Sequence, residues 1–356
     1  MHRTLDVAAG GYNDLKRPGR RISLRTMLPP SARTFLVTGV AGFIGSHTAI
    51  RLLERGDHVV GLDNFDDYYD PARKRVNLED VRSAAKTNGA FTFVEGDIRN
   101  RALLAELFQA HSLSGVAHLA AMAGVRSSVE NPWLYYECNL IGTLNLLDAA
   151  HRFNNPNFVF ASTSSAYGNT KRIPFIETDT ADRPLAPYPA SKRAAELLGH
   201  SYHHIQGLDF TALRFFTVYG PRGRPDMMTY KIFEALRTDV PIPLFNGGNM
   251  HRDWTFVADV VSGIVAALDK RLGYEVINIG RGEPVLVADY VRAIERLTGK
   301  KAPFKGEPMS KADVDFTFAN IDKARSLLGY SPQVSVEEGV RLSYEWYQAA
   351  VGDLSG

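Results

Sequence analysis

A tyrosine that moves a proton near neutral pH needs assistance, because its phenol ordinarily ionises at about pH 10. Tyr188-x-x-x-Lys192 offers it: a spacing of four puts both side chains on one helical face, where an ammonium favours the phenolate. Pro189 confines Tyr188 to the cap or first turn of that helix. Thr163 closes an apolar run just upstream, so its hydroxyl stands at a strand end, placed to hold or relay the proton. Far earlier lies Gly39-Val-Ala-Gly42-Phe-Ile-Gly45, with Asp63 about twenty residues on. In that pattern Gly39 permits a tight turn, Gly42 lets a pyrophosphate approach the backbone, and Gly45 lets helix pack on strand. Asp63 would accept both ribose hydroxyls and repel a 2′-phosphate, which favours NAD over NADP; the basic Arg73-Lys74-Arg75 cluster argues the other way. Asp97, in Gly96-Asp97-Ile98 after the third strand, is placed to meet the adenine edge. In this order, the pieces put a nicotinamide and a proton-transfer group in one site.

The elements that must position these groups read as alternating strands and helices. Thr34–Thr38 is a β-branched apolar run, residues 44–53 carry a helical pattern, and His58–Asp63 completes a first βαβ unit. Further strands are expected at Phe91–Glu95, 116–119, 158–162 and Phe210–Phe215, with helices at 101–109, 132–151 and 190–206. The alternation predicts an α/β fold: a Rossmann-type, doubly wound parallel sheet covered on both faces. After Phe216 the texture turns loop-rich, and a smaller α/β substrate lobe is expected. The expected division is a disordered basic lead-in over 1–30, a cofactor domain over 31–215, and a second lobe over 216–250 and 281–350. Residues 251–280 are read as a helix and a strand that rejoin the main sheet. Helices are also expected at Val287–Thr298 and 321–328.

The bulk properties exclude several classes. At 356 residues with 45% hydrophobic content the chain can bury a large core, and no run reaches the roughly 18 apolar residues of a membrane span. A single cysteine, Cys138, excludes an internal disulfide framework and fits a reducing cytoplasm. Residues 1–25 hold six basic side chains against Asp6 and Asp14; this Arg-rich, acid-poor composition leaves a targeting role open, although an apolar h-region and a sustained amphipathic stripe are lacking. The other arginines cluster in pocket-like loops without an aromatic platform, so nucleic-acid recognition is not expected. Glu196, His200 and His204 share one helix but span too far to converge on a metal.

The glycine triplet, Asp63-Asn64, His118-Leu119-Ala120-Ala121, Thr163, Tyr188-x-x-x-Lys192 and Arg214-Phe-Phe-Thr217-Val-Tyr-Gly-Pro221 together resemble the extended short-chain dehydrogenase/reductase superfamily over residues 33–347. Within it, Asp63-Asn-Phe-Asp-Asp-Tyr-Tyr-Asp-Pro71, Ala123-Gly-Val-Arg126, Gly220-Pro-Arg-Gly-Arg224-Pro-Asp-Met227 and Phe245-Asn-Gly-Gly-Asn-Met-His-Arg252-Asp253 are similar to UDP-glucuronate 4-epimerases. The resemblance implies NAD held by Gly39, Gly42, Phe43, Ile44, Gly45, Asp63, Asn64, Asp97, Ile98, Leu119, Ala120, Ala121, Tyr188 and Lys192. It implies Tyr188 as base, Lys192 as its support and Thr163 as its assistant. Arg252 and Asp313 would hold the diphosphate and uridine ribose. Ser164, Ser165, Thr217 and Arg224 would meet the sugar carboxylate, and Arg126 would face the substrate. A homodimer built from the helices at 132–151 and 190–206 is also implied.

The two residues after Thr163 narrow the reaction. Related 4,6-dehydratases resemble Thr-Asp-Glu there and decarboxylating relatives Thr-Ser-Glu, whereas this chain has Thr163-Ser164-Ser165, without an acid to carry the extra proton. The expected reaction is therefore inversion of C4 of a UDP-sugar through a 4-keto intermediate, UDP-glucuronate to UDP-galacturonate. A UDP-glucose/galactose 4-epimerase, a UDP-glucuronate decarboxylase and a non-catalytic NAD-sensing protein stay open as alternatives.

Overall fold

The computed structural model describes residues 32–87, 89–153, 155–308 and 314–351, and the account concerns the unit that begins at Arg33. The lead-in expected over 1–30 and the candidate Asp313 lie outside the described residues.

The first half alternates as expected: β1 (Thr34–Thr38), α1 (Phe43–Arg55), β2 (His58–Asp63), α2 (Pro71–Ala84), β3 (Phe91–Glu95), α3 (Arg101–Ala110) and β4 (Gly115–His118). Short α4 (Val125–Glu130) and α5 (Pro132–Tyr136) lead through a π-turn at Glu137–Gly142 into α6 (Thr143–Phe153). The single helix expected over 132–151 is thus interrupted, because the wider turn lets Asn139 face inward and bond the Met122 backbone. Then come β5 (Asn157–Thr163), α7 (Pro187–Gln206), β6 (Phe210–Phe215) and β7 (Thr217–Tyr219). The rest comprises α8 (Met228–Thr238), β8 (Ile242–Phe245), β9 (His251–Phe256), α9 (Val257–Leu268), β10 (Tyr274–Ile279), β11 (Pro284–Leu286), α10 (Val287–Thr298), β12 (Phe304–Glu307), α11 (Asp322–Leu328) and α12 (Val336–Val351).

Seven strands form one parallel sheet in the order β10-β6-β5-β4-β1-β2-β3. Its strands bury both faces, so they read as continuous apolar runs instead of alternating ones. Phe35 and Val37 face one core with α1 and α9, while Leu36 between them faces the other with α3 and α6. The order reverses between β1 and β4, and a crevice opens there at the carboxyl ends of the strands.

Beyond this sheet, β11, β9 and β7 form a three-stranded sheet, and β8 pairs with β12. Residues 251–256 are therefore a strand, not the start of a helix. His-Arg-Asp-Trp-Thr-Phe is rich in β-forming residues and pairs with β7, and the helical pattern begins only at Val257. β10 does rejoin the main sheet, beside β6.

Candidate active site

A cleft at the β1/β4 reversal is lined by Gly39, Gly42, Phe43, Ile44, Gly45, Asp63, Asn64, Asp97, Ile98, Leu119, Ala120, Ala121, Tyr188, Lys192 and Arg224. Every residue expected to hold the cofactor is among these.

The turn fits a pyrophosphate by subtraction of side chains. A Cβ on Gly45 would fall 1.9 Å from the Gly39 carbonyl oxygen, and one on Gly39, at φ +70°, would fall 2.8 Å from Ala120 N. α1 starts at Gly42 with no side-chain cap and no acid in its first turn, so its orphan N–H groups suit phosphate oxygens. Beside it, the buried Asp63 carboxylate accepts N–H bonds from Ala41 (3.0 Å) and Phe65 (2.9 Å), and burial raises its pKa. Asp97 accepts from Arg99 (2.7 Å) and Asn64 (2.9 Å), and the Arg99 hydrogen bond is the main cause holding its carboxyl below the usual range. Of the basic cluster, Lys74 donates to the Asp66 carbonyl and Arg75 stacks on Phe65 at 4.4 Å.

The β4 end is fixed by a buried histidine. Thr38 Oγ1 accepts the N–H groups of Leu119 and Ala120 (3.2 and 3.1 Å), so its proton goes to His118 Nδ1 at 2.8 Å. Thr143 donates to the Asn139 carbonyl, so its oxygen accepts from His118 Nε2 at 2.9 Å. These bonds demand the neutral Nε2–H tautomer, in keeping with a pKa driven well below normal by burial and then by Lys192.

Tyr188 and Lys192 sit in the first turns of α7, which starts at Pro187. Among the described residues the buried Lys192 ammonium has no hydrogen-bond partner; it lies 4.6 Å over the Phe160 ring, and burial pulls its pKa down to about 8. An orphaned buried ammonium facing the cleft is what a ribose diol would satisfy. Burial raises the Tyr188 pKa, opposed by a hydrogen bond from Thr163 and by the charge of Arg224. The phenolate is thus favoured here by Thr163 and Arg224, whereas the sequence pattern assigns that support to Lys192. Thr163 Oγ1 already accepts the Ser165 N–H at 3.1 Å, so its own proton is free for the tyrosine oxygen.

The remaining candidates are more scattered. Ser164 and Ser165 form the short turn directly after Thr163, and Thr217 opens β7. Arg224 forms a bidentate pair with Asp226 (2.9 and 3.0 Å). Arg252 lies on β9, where it donates to the His251 carbonyl at 2.9 Å. Arg126 is exposed on α4, stacked 3.9 Å over Phe245 of β8.

Sequence reasoning missed several groups. Tyr68, Cys138 and Met122 also line the cleft. Glu196, one helical turn beyond Lys192, is fully buried in a two-pronged pair with Arg214 (2.9 and 2.7 Å) and accepts from Ser162 at 2.5 Å. That pairing turns Glu196 into the sheet, away from His200, whose ring packs on Tyr274. The i,i+4 step from Lys192 to Glu196 was the available signal; Arg214 lies on another element.

Comparison with known proteins agrees with this geometry. Residues 36–343 match the GDP-mannose 4,6 dehydratase family. The chain is 44% identical to a UDP-glucuronate 4-epimerase of Thermodesulfobacterium geofontis, over 88% of this chain and 95% of that one. It is 43% identical to UDP-glucuronate 4-epimerase 4 of Arabidopsis thaliana, over 88% and 75%. A UDP-glucuronic acid 4-epimerase from Bacillus cereus, solved with UDP-glucuronic acid and NAD, superposes with a TM-score of 0.82 at 36% identity, covering 89% and 99%. With a glycine turn, a Tyr/Lys helix and relatives of this kind, the chain belongs to the extended short-chain dehydrogenase/reductase superfamily, in its UDP-glucuronate 4-epimerase family.

Proposed function

We propose that this chain is an NAD-dependent epimerase that inverts C4 of UDP-glucuronate to give UDP-galacturonate. The observation that carries the reading is the meeting of Tyr188, Lys192 and Arg224 in the cleft that the glycine turn opens, next to Thr163-Ser164-Ser165. NAD, when bound, supplies the acceptor and then the donor of the C4 hydride. Tyr188 takes the proton of the sugar O4 and returns it once the keto sugar has presented its other face. Thr163 donates to the phenolic oxygen and lowers the cost of that exchange, and Lys192 grips the cofactor's ribose.

A 4-keto uronate is a β-keto acid, prone to lose carbon dioxide when its carboxylate bond aligns with the carbonyl π system. Ser164, Ser165, Thr217 and Arg224 are assigned to hold that carboxylate out of alignment through directed, charge-assisted hydrogen bonds. Arg252 is assigned to the diphosphate, and Asp313 to the uridine ribose. We assign 216–250 and 281–350 to a substrate lobe.

A homodimer fits the surface. Trp133 (78% exposed), Ile141 (47%), Leu197 (55%) and Ile205 (69%) lie on α5, the π-turn and α7, and Leu197 and Ile205 fall within one stripe of α7. No helix among the described residues is long and apolar enough to cross a membrane.

The test is incubation of purified protein with UDP-glucuronate and, separately, UDP-glucose, followed by proton NMR beside Tyr188→Phe. UDP-galacturonate from wild type alone is expected. Release of a UDP-pentose would mark a decarboxylase, and turnover of UDP-glucose alone would mark a hexose epimerase.

A further inference from the structure

The arginine assigned to the sugar carboxylate does not stand alone in the cleft. Asp226 takes its Nε and Nη2 donors (2.9 and 3.0 Å), and Nη1 makes no hydrogen bond among the described residues. Behind Asp226 stands Tyr68, from the loop between β2 and α2. Its hydroxyl donates to Asp226 Oδ2 at 3.2 Å and lies 3.2 Å from Ser127 Oγ on α4. With the phenol's one proton given to the carboxylate, Ser127 must be the donor in that last contact. Tyr68 Oη passes over Gly124, where a Cβ would meet it at 2.6 Å. The chain Ser127, Tyr68, Asp226, Arg224 therefore spans from α4 and the β2–α2 loop to the loop after β7 and ends in the cleft that Tyr188 lines.

A guanidinium grips a carboxylate well only when its plane is fixed, since two parallel hydrogen bonds require both groups to be coplanar. A lone arginine on a loop would spend its rotamer freedom at each binding event. The geometry points to Tyr68 and Asp226 as positioning residues that lock one edge of Arg224, so that its other edge meets the substrate carboxylate and sets a preference for uronate over neutral sugar. The inference rests on the reading that Arg224 meets that carboxylate. Neither residue touches the reacting atoms.

Binding is measured by calorimetry on the NAD-loaded Tyr188→Phe protein, in which turnover is stopped, with UDP-glucuronate and UDP-glucose as titrants. Adding Asp226→Asn is expected to weaken UDP-glucuronate about tenfold more than UDP-glucose, because the amide presents donors to donors. Tyr68→Phe, which removes a single hydroxyl, is expected to cause the same selective loss at about threefold to tenfold. Equal losses for the two sugars, or no loss, would overturn the inference, as would tighter uronate binding in Asp226→Asn, which would make Asp226 a competitor of the substrate. If the Tyr188→Phe parent itself shows no preference for UDP-glucuronate, the reading that Arg224 meets a substrate carboxylate falls and takes the inference with it.

Discussion

The turn at Gly39–Gly45 and the loop at Gly220–Asp226 feed the same cleft and are built in opposite ways. The first acts through backbone: its glycines exist so that no side chain intervenes, and its donors are N–H groups at the start of α1. The second acts through side chains, with Arg224 held by Asp226 and Tyr68, and Arg222 paired to Asp80 of α2 at 2.7 Å. A site made of backbone fails when atoms are added. One made of side chains fails when atoms are removed. Between them α7 carries Tyr188 and Lys192, braced on the sheet by Glu196 and Arg214.

The largest effect is expected at α7, on which both halves depend. Tyr188→Phe removes the proton carrier and should lower kcat by roughly 10²–10⁴-fold, with NAD and UDP-glucuronate still bound; stopped-assay NMR and calorimetry check the two statements. Lys192 gives the next. Its pKa falls from 10.5 to about 8 on folding, so the unfolded chain binds more protons between those values. Stability of the NAD-free protein should therefore rise with pH across that window, by up to about 3 kcal/mol; below it the full cost of the buried charge is present and this group adds no further pH dependence. Urea denaturation of wild type and Lys192→Met across pH 7.5 to about 10 should show the extra slope only in wild type. Saturating NAD should flatten it, since ribose acceptors would stabilise the charged amine.

Gly45→Ala tests the backbone half directly. The new methyl must displace the Gly39 carbonyl, an overpacking of about 1–3 kcal/mol, and should weaken NAD binding by about tenfold to a hundredfold. Arg224→Ala is its counterpart in the side-chain half and should weaken UDP-glucuronate while leaving NAD affinity within about twofold. Titrating both ligands into both variants gives a crossed pattern if the halves are separable. A parallel loss would show that the Arg224 loop also shapes the cofactor site.

The same contrast explains what could be read from the chain. β1, the glycine turn, β2 and its terminal Asp63 are consecutive, and each is signalled by local residue type, so that half was legible. Tyr188 and Lys192 were legible because one helix carries both. Asp226 and Tyr68 were not, because their partnership joins residues 158 apart in sequence, and an aspartate in a proline-rich loop looks like any turn former. Glu196 was visible only as a member of a His/Glu helix face until β6 brought Arg214 against it. β9 was misread because its six residues adjoin the strongly helical pattern of α9, and only pairing with β7 distinguishes them.

The smallest expected effect concerns the hydroxyl that meets Tyr188. Thr163 ends β5, accepts the Ser165 N–H and favours the Tyr188 phenolate, which burial otherwise opposes. Thr163→Val keeps the shape and removes both bonds. Without the donated proton the Tyr188 pKa should rise further, so the limb along which kcat increases with pH should move to higher pH, and the rate at neutral pH should fall about tenfold. Thr163→Ser retains the hydroxyl and should restore the wild-type limb, although the β-branched strand residue is lost. If Val and Ser variants lose rate alike with the limb unmoved, Thr163 serves the strand end and the turn after it, and Arg224 is left as the group that favours the phenolate.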